Sequence, residues 1–93
     1  MKPKRIKLNG RIFRLVYRQL PKRPRKIYGM CDEPTKKGKT ITIATGLSEI
    51  DEMDTIIHEC IHGLVWHIDE AMVEQAATDI ARVLHRVGFR KGE

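Results

Sequence analysis

At 93 residues the chain is long enough for one small-cored domain and too short for two. Hydrophobic residues at 41% and charged residues at 32% exclude a disordered or fibrous class. No apolar run approaches the ~18 residues a bilayer span needs, and no apolar stretch of signal-peptide length follows the charged start Met1-Lys2-Pro3-Lys4-Arg5, so a cytoplasmic location without membrane attachment is expected.

The first predicted elements are strands. Residues 5–8 and 11–18 flank Asn9-Gly10, a dipeptide that suits a two-residue hairpin turn because both positions need positive φ. Phe13, Leu15 and Tyr17 alternate and should face inward. Residues 20–26, with Pro21 and Pro24, read as a loop, and residues 27–31 as a short strand. A polar loop over 32–39 leads to Thr40-Ile41-Thr42-Ile43-Ala44, β-branched and alternating, a further strand.

The period then changes. Ser48 opens a helix whose acidic first turn suits the helix dipole. Ile50, Met53, Ile57, Cys60, Ile61 and Leu64 recur at helical spacing, and Gly63 weakens the helix without ending it. Asp69 caps a second helix, with Val73, Ala76, Ala77, Ile80, Leu84 and Val87 on one face and Gly88 as its stop. The tail, residues 89–93, is expected to be loose. The fold class is therefore α+β: one domain over residues 1–93, with a small, mostly antiparallel sheet from residues 4–44 packed on helices over 48–66 and 69–87.

Charge is distributed unevenly. Residues 1–40 hold fourteen Lys or Arg against Asp32 and Glu33, a net +12. Residues 41–93 hold four against ten acids, a net −6. Such a split marks either a nucleic-acid contact surface on the basic half or a solvated sheet face balanced by acidic helices. The two cysteines, Cys31 and Cys60, are too few for a disulfide framework and read as free thiols.

His58-Glu59-Cys60-Ile61-His62 carries the chemistry. Residues four apart on a helix stand one above the other, so the two imidazoles can hold one Zn²⁺ at ~2.0–2.1 Å. Glu59 is rotated ~100° from His58. It is aimed at the open coordination position, where it can take a proton from a water that zinc acidifies. Chance alone gives such a motif in on the order of a few per thousand chains of this length, and its place on a helix after a β-rich half strengthens it.

A catalytic zinc needs a third protein ligand. The longer pattern H-E-x-x-H-x-x-G-x-x-H fails, because Val65 and Ile68 stand where its Gly and His belong. Glu70 and Glu74 are the candidates. Glu70 lies nearer the apolar face of its helix, ~60° from the centre against ~100° for Glu74. Glu70 is taken as the ligand, with Glu74 bracing one of the histidines. His67 and His85 read as surface residues, and Trp66 as part of the core. Tyr28 is a candidate phenol for charge stabilisation, with Tyr17 equally nameable.

The segment with Asp54-Thr55-Ile56-Ile57-His58-Glu59-Cys60-Ile61-His62, followed by Glu70-Ala71-Met72-Val73-Glu74-Gln75-Ala76-Ala77, resembles the small phage- and prophage-encoded zincin metallopeptidases. These are similar to the gluzincin clan and the ImmA/IrrE-like proteins, in which a Glu from the following helix completes the site. The resemblance implies a zinc metallopeptidase with a protein or peptide substrate, and a polar residue four after the ligand Glu, here Glu74, that braces a histidine. It also implies a sheet edge beside the helix that pairs with extended substrate, for which Thr40, Ile41, Thr42 and Ile43 are the candidates. Seven residues separate His62 from Glu70, fewer than in most gluzincins. A fainter resemblance is to SprT-like proteases, whose third ligand is a histidine not found here. Two other readings stand beside the enzyme. One is a non-catalytic zinc-binding or nucleic-acid-binding relic. The other is a latent peptidase whose tail or Cys31 covers the metal.

Overall fold

Asn9 and Gly10 both take positive φ, 51° and 77°, in the computed structural model of the chain, which describes residues 2–92. Their turn folds β1 (Lys4–Leu8) onto β2 (Arg11–Arg18), antiparallel, with Ile6 opposite Phe13. Two shorter strands follow, β3 (Gly29–Cys31) and β4 (Thr40–Ala44). The sheet order is β1-β2-β4-β3, with β4 parallel to β2 and antiparallel to β3. Phe13, Ile41 and Ile43 are fully buried, and Leu15 and Tyr17 pack against them, so the inward face of β2 is the expected one. With a mostly antiparallel sheet and two helices, the fold is α+β; only the first helix packs on the sheet, not both as expected.

One expectation fails here. Thr40, Ile41, Thr42 and Ile43 do not form a sheet edge, because β4 is flanked by β2 and β3. Ile41, Thr42 and Ile43 are buried. A β-branched alternation identifies a strand but not its position in a sheet, and this one is central. The edges are β1 and β3.

Helix α1 (Glu49–Leu64) begins at Ser48, whose hydroxyl accepts from Asp51 N–H at 3.2 Å. Helix α2 (Glu70–Arg86) begins at Asp69, whose carboxylate accepts from Met72 N–H at 3.3 Å. These caps satisfy amide groups that the first turn leaves unpaired. Helix α1 packs on β1, β3 and β4, whereas α2 packs on α1 alone among the helices and strands.

Hydrophobic periodicity selects the buried rows only in part: Val73 and Ala77 of the expected α2 face are buried, but other members of the apolar stripes are not. In α1 the buried residues are Thr55, Glu59 and Gly63, four apart, whereas Leu64 is exposed. In α2 they are Val73, Ala77 and Ala81, whereas Ile80 and Val87 are exposed. The deepest line of a packed helix is where backbones approach most closely, and small side chains permit that approach. Gly63 shows the effect: a Cβ there would lie 2.8 Å from Leu8 Cδ1 and 3.3 Å from Phe13 Cζ.

The tail is not loose as far as it is described. Arg90 pairs with Glu49 at 3.3 Å, and Lys91 pairs with Glu52 at 2.9 Å and lies over the Tyr17 ring. Glu93 lies outside the described residues, as does Met1.

Strand and helix approach closely at Gly29, where a Cβ would sit 2.7 Å from Thr55 Cγ2, 3.0 Å from the Thr42 carbonyl and 3.1 Å from Glu59 Cγ. Gly29→Ala should therefore lower unfolding stability by about 1–3 kcal/mol in urea titration. Unchanged stability would mean that β3 does not press on α1 as described.

Candidate metal centre

Residues 65–69 make a short link, closed by a hydrogen bond from Ile68 N–H to Val65 O at 3.1 Å. The link reverses the chain, and α2 runs back antiparallel along α1. Cross-helix pairs mark its course: His62 with Glu70, Asp54 with Thr78 and, at the far end, Glu49 with His85. Glu70, the first residue of α2, is thereby set over the second half of α1.

Its carboxylate lies across both imidazoles. His58 Nε2 is 3.0 Å from Glu70 Oε1, and His62 Nε2 is 2.8 Å from Glu70 Oε2. The ring centroids stand 4.9 Å apart, as spacing four on a helix dictates. All three ligand atoms fall within 4.8 Å of one another. A tetrahedral zinc at ~2.0–2.1 Å holds its ligand atoms roughly 3.3 Å apart, so a small outward shift of the carboxylate makes room for the ion. Two imidazole nitrogens and one carboxylate oxygen are a donor set suited to zinc. The residues fit the metal. Glu74 is close by, in the wall of the cleft beside His58, but makes no hydrogen bond to either ring among the described residues. The bracing role expected of it is not seen.

Glu59 is only 7% exposed, and no described residue donates a hydrogen bond to its carboxylate or pairs with it. Burial pushes its pKa up to about 7; the His58 ring draws it down and the Glu70 carboxylate adds to the rise. Glu59 forms part of the wall of two cavities. The first, of about 430 Å³, also has Tyr28, Gly29, Asp54, Glu74 and Thr78 in its lining. The second, of about 410 Å³, has Cys31, His62, Trp66, Ile68 and Glu70. A cleft thus extends to both sides of Glu59.

The free edge beside this cleft is β3. Ala44 N–H bonds to Tyr28 O at 2.7 Å and Asp32 N–H to Thr40 O at 3.0 Å. Antiparallel pairing alternates, so the N–H and C=O of Gly29 and Cys31 point away from β4. Of the two sheet edges, β3 is the one that borders the cleft.

Other expectations sort themselves in space. Trp66 is not core: it is 36% exposed, on the cleft wall, with its ring 6.5 Å from that of His62. Tyr28 lies on the cleft, whereas Tyr17 is turned away and donates to Glu52 at 2.8 Å. His67 is exposed and outside the centre. The tail is fixed at Glu49 and Glu52, on the first turn of α1, not over His58 and His62. Cys31 does reach the cleft, but its thiol donates to Asp32 O at 3.3 Å and is pushed up to about 12, first by burial and then by Glu59. Gly29, Asp51, Asp54 and Thr78 were missed from sequence. The short link between helices, which forces antiparallel pairing, is the signal that could have placed Asp54 opposite Thr78.

Two outcomes are expected. Between pH 4.5, the ordinary value for Glu59, and about 7, the folded metal-free protein holds a proton that the unfolded chain releases. Its stability should fall as pH rises through that window, and Glu59→Gln should flatten the slope in denaturant titrations. Glu70→Ala should weaken zinc binding by more than the roughly 10–100-fold that an outer partner costs, whereas Glu74→Ala should keep one zinc per chain; metal analysis after gel filtration reads both.

No protein-family profile, curated protein or solved structure matches the chain.

Proposed function

We propose that the chain is a zinc-dependent peptidase that acts on a short extended segment of protein or peptide. The observation that carries this reading is the Glu70 carboxylate set against both imidazole Nε2 atoms, with the buried, unpaired Glu59 carboxylate alongside. When bound, zinc supplies an acidified water and a Lewis acid that polarises the scissile carbonyl. His58, His62 and Glu70 would hold the ion. Glu59 accepts the proton from the attacking water and returns it to the leaving amine. Its high pKa in the metal-free site suits it to both steps near neutrality, and the positive charge of the ion favours the carboxylate form that must act first.

Substrate is held by strand addition. Gly29 and Cys31 offer their outward backbone groups to an extended peptide, which is thereby laid along the cleft past Glu59. Tyr28 is the phenol nearest that path and suits charge stabilisation. The larger cavity is acidic, with Asp51, Asp54 and Glu74 in its lining and no Lys or Arg. It favours a substrate residue that carries positive charge. A purely structural zinc is the less favoured reading, because such sites have four protein ligands and only three residues converge among those described. Free Cys31 and Cys60 accord with the reducing cytoplasm.

Zinc-loaded protein incubated with a mixed peptide library should give cleavage products by mass spectrometry. Glu59→Gln should retain one zinc and lose about 10²–10⁴-fold in rate. Full activity in that variant, or failure of the wild type to retain zinc, would overturn the assignment. Between paired peptides that differ only by Lys or norleucine, the Lys peptide should have the higher kcat/KM, by roughly tenfold. Asp54→Asn combined with Glu74→Gln should erase that difference.

A further inference from the structure

Helix α1 covers one face of the sheet, with α2 packed on α1 beyond it, and no helix or strand packs on the other face. Phe13, Leu15 and Tyr17 face the helices. Strand alternation therefore turns Ile12, Arg14, Val16 and Arg18 of β2 outward. The β1–β2 register adds Arg5, opposite Arg14, and Lys7, opposite Ile12. The open face thus presents Arg5, Lys7, Arg14 and Arg18, all exposed.

No acid within the strands offsets these charges, and Asp32, just past β3, is committed to Thr40 N–H and Lys36. None of the four strands contains Asp or Glu. None of the four cations enters an ion pair among the described residues. Arg5 directly opposite Arg14 is a like-charge cross-strand pair, an arrangement that destabilises a sheet. An uncompensated array of this kind is most readily explained by an anionic partner.

We propose that this open sheet face binds the phosphate backbone of duplex nucleic acid without regard to sequence. Two residues along a strand span roughly 6.6 Å, and neighbouring strands lie about 4.8 Å apart. The four long side chains therefore cover roughly 20 Å along β2, from Lys7 opposite Ile12 to Arg18, and reach both strands of the hairpin. A duplex carries one charge per roughly 1.7 Å of its axis, so several phosphates fall within that reach. Single strands are a poorer fit, because their binding rests on aromatic stacking platforms, and the two aromatic residues of the hairpin, Phe13 and Tyr17, lie on the other side. A lipid surface is also a poorer fit, since a membrane-seeking face needs a continuous apolar stripe. Here Ile12 and Met30 are separated by the cations and by Val16 and Thr42. The surface is separate from the metal cleft and does not depend on the peptidase reading.

The test is fluorescence anisotropy of a labelled 20-base-pair duplex of mixed sequence with the full, zinc-loaded chain over a KCl series. Log affinity should fall with log salt at a slope of roughly −3.6 for four cations. Arg5→Gln, Arg14→Gln and Arg18→Gln combined should lower affinity at least tenfold at low salt and remove roughly 2.7 from the slope. Arg82→Gln, an exposed charge on α2, should leave both unchanged. Circular dichroism checks that the triple variant folds, and Arg14→Gln alone should raise Tm by relieving Arg5. No duplex binding at low salt, or an unchanged slope in the folded triple variant, overturns the proposal. So does tighter binding to the single strand, or to vesicles of anionic phospholipid, than to the duplex.

Discussion

The carboxylate of Glu70 spans two imidazoles, and much of the helical layer exists to keep it there. Asp69 caps α2 just before it, and residues 65–69 allow no slack between the helices. Thr78 donates to Asp54 at 2.8 Å further along the hairpin, which fixes the register of one helix on the other. Helix α2 has no seat on the sheet. Its position therefore depends on α1, and a metal ion held by both helices would tie the layer together. Metal binding to the native state adds stability by mass action, so the centre and the helical hairpin are expected to be energetically coupled.

A second constraint is the close approach of β3 to α1. Gly29 has no side chain to hold the strand away from Thr55 and Glu59. That approach buries a carboxylate on the line where α1 meets the sheet. A buried acid without partners is costly, and the rise in its pKa expresses that cost. The same approach sets the free backbone groups of Gly29 and Cys31 beside the cleft. The β3 edge, the Glu59 carboxylate and the His58–His62–Glu70 group are thus placed by one packing contact and one tight turn.

Charge divides the molecule in the same way. The acids gather on the helices and around the cleft, whereas the strands carry cations and no acids. The sheet between them keeps the two sets of charges apart.

Much of this was legible in the sequence. Asn9-Gly10 specified the hairpin because few residues tolerate positive φ, and Ser48 and Asp69 specified both helix starts because the first turn needs acceptors. The spacing of His58 and His62 determined that their rings share one helix face, and the short link made Glu70 the nearer acid. These are local matters, settled within one or two turns of chain. Tertiary structure alone decided which strand is an edge, because β4 and β3 differ in their neighbours and not in their own pattern. It alone placed Trp66 on the cleft wall, left Glu74 off the imidazoles, fixed the tail at Glu49 and Glu52, and made Thr55, Glu59 and Gly63 the deepest row of α1. Burial there follows from how closely two backbones meet, a property of the pair of elements that neither segment encodes by itself.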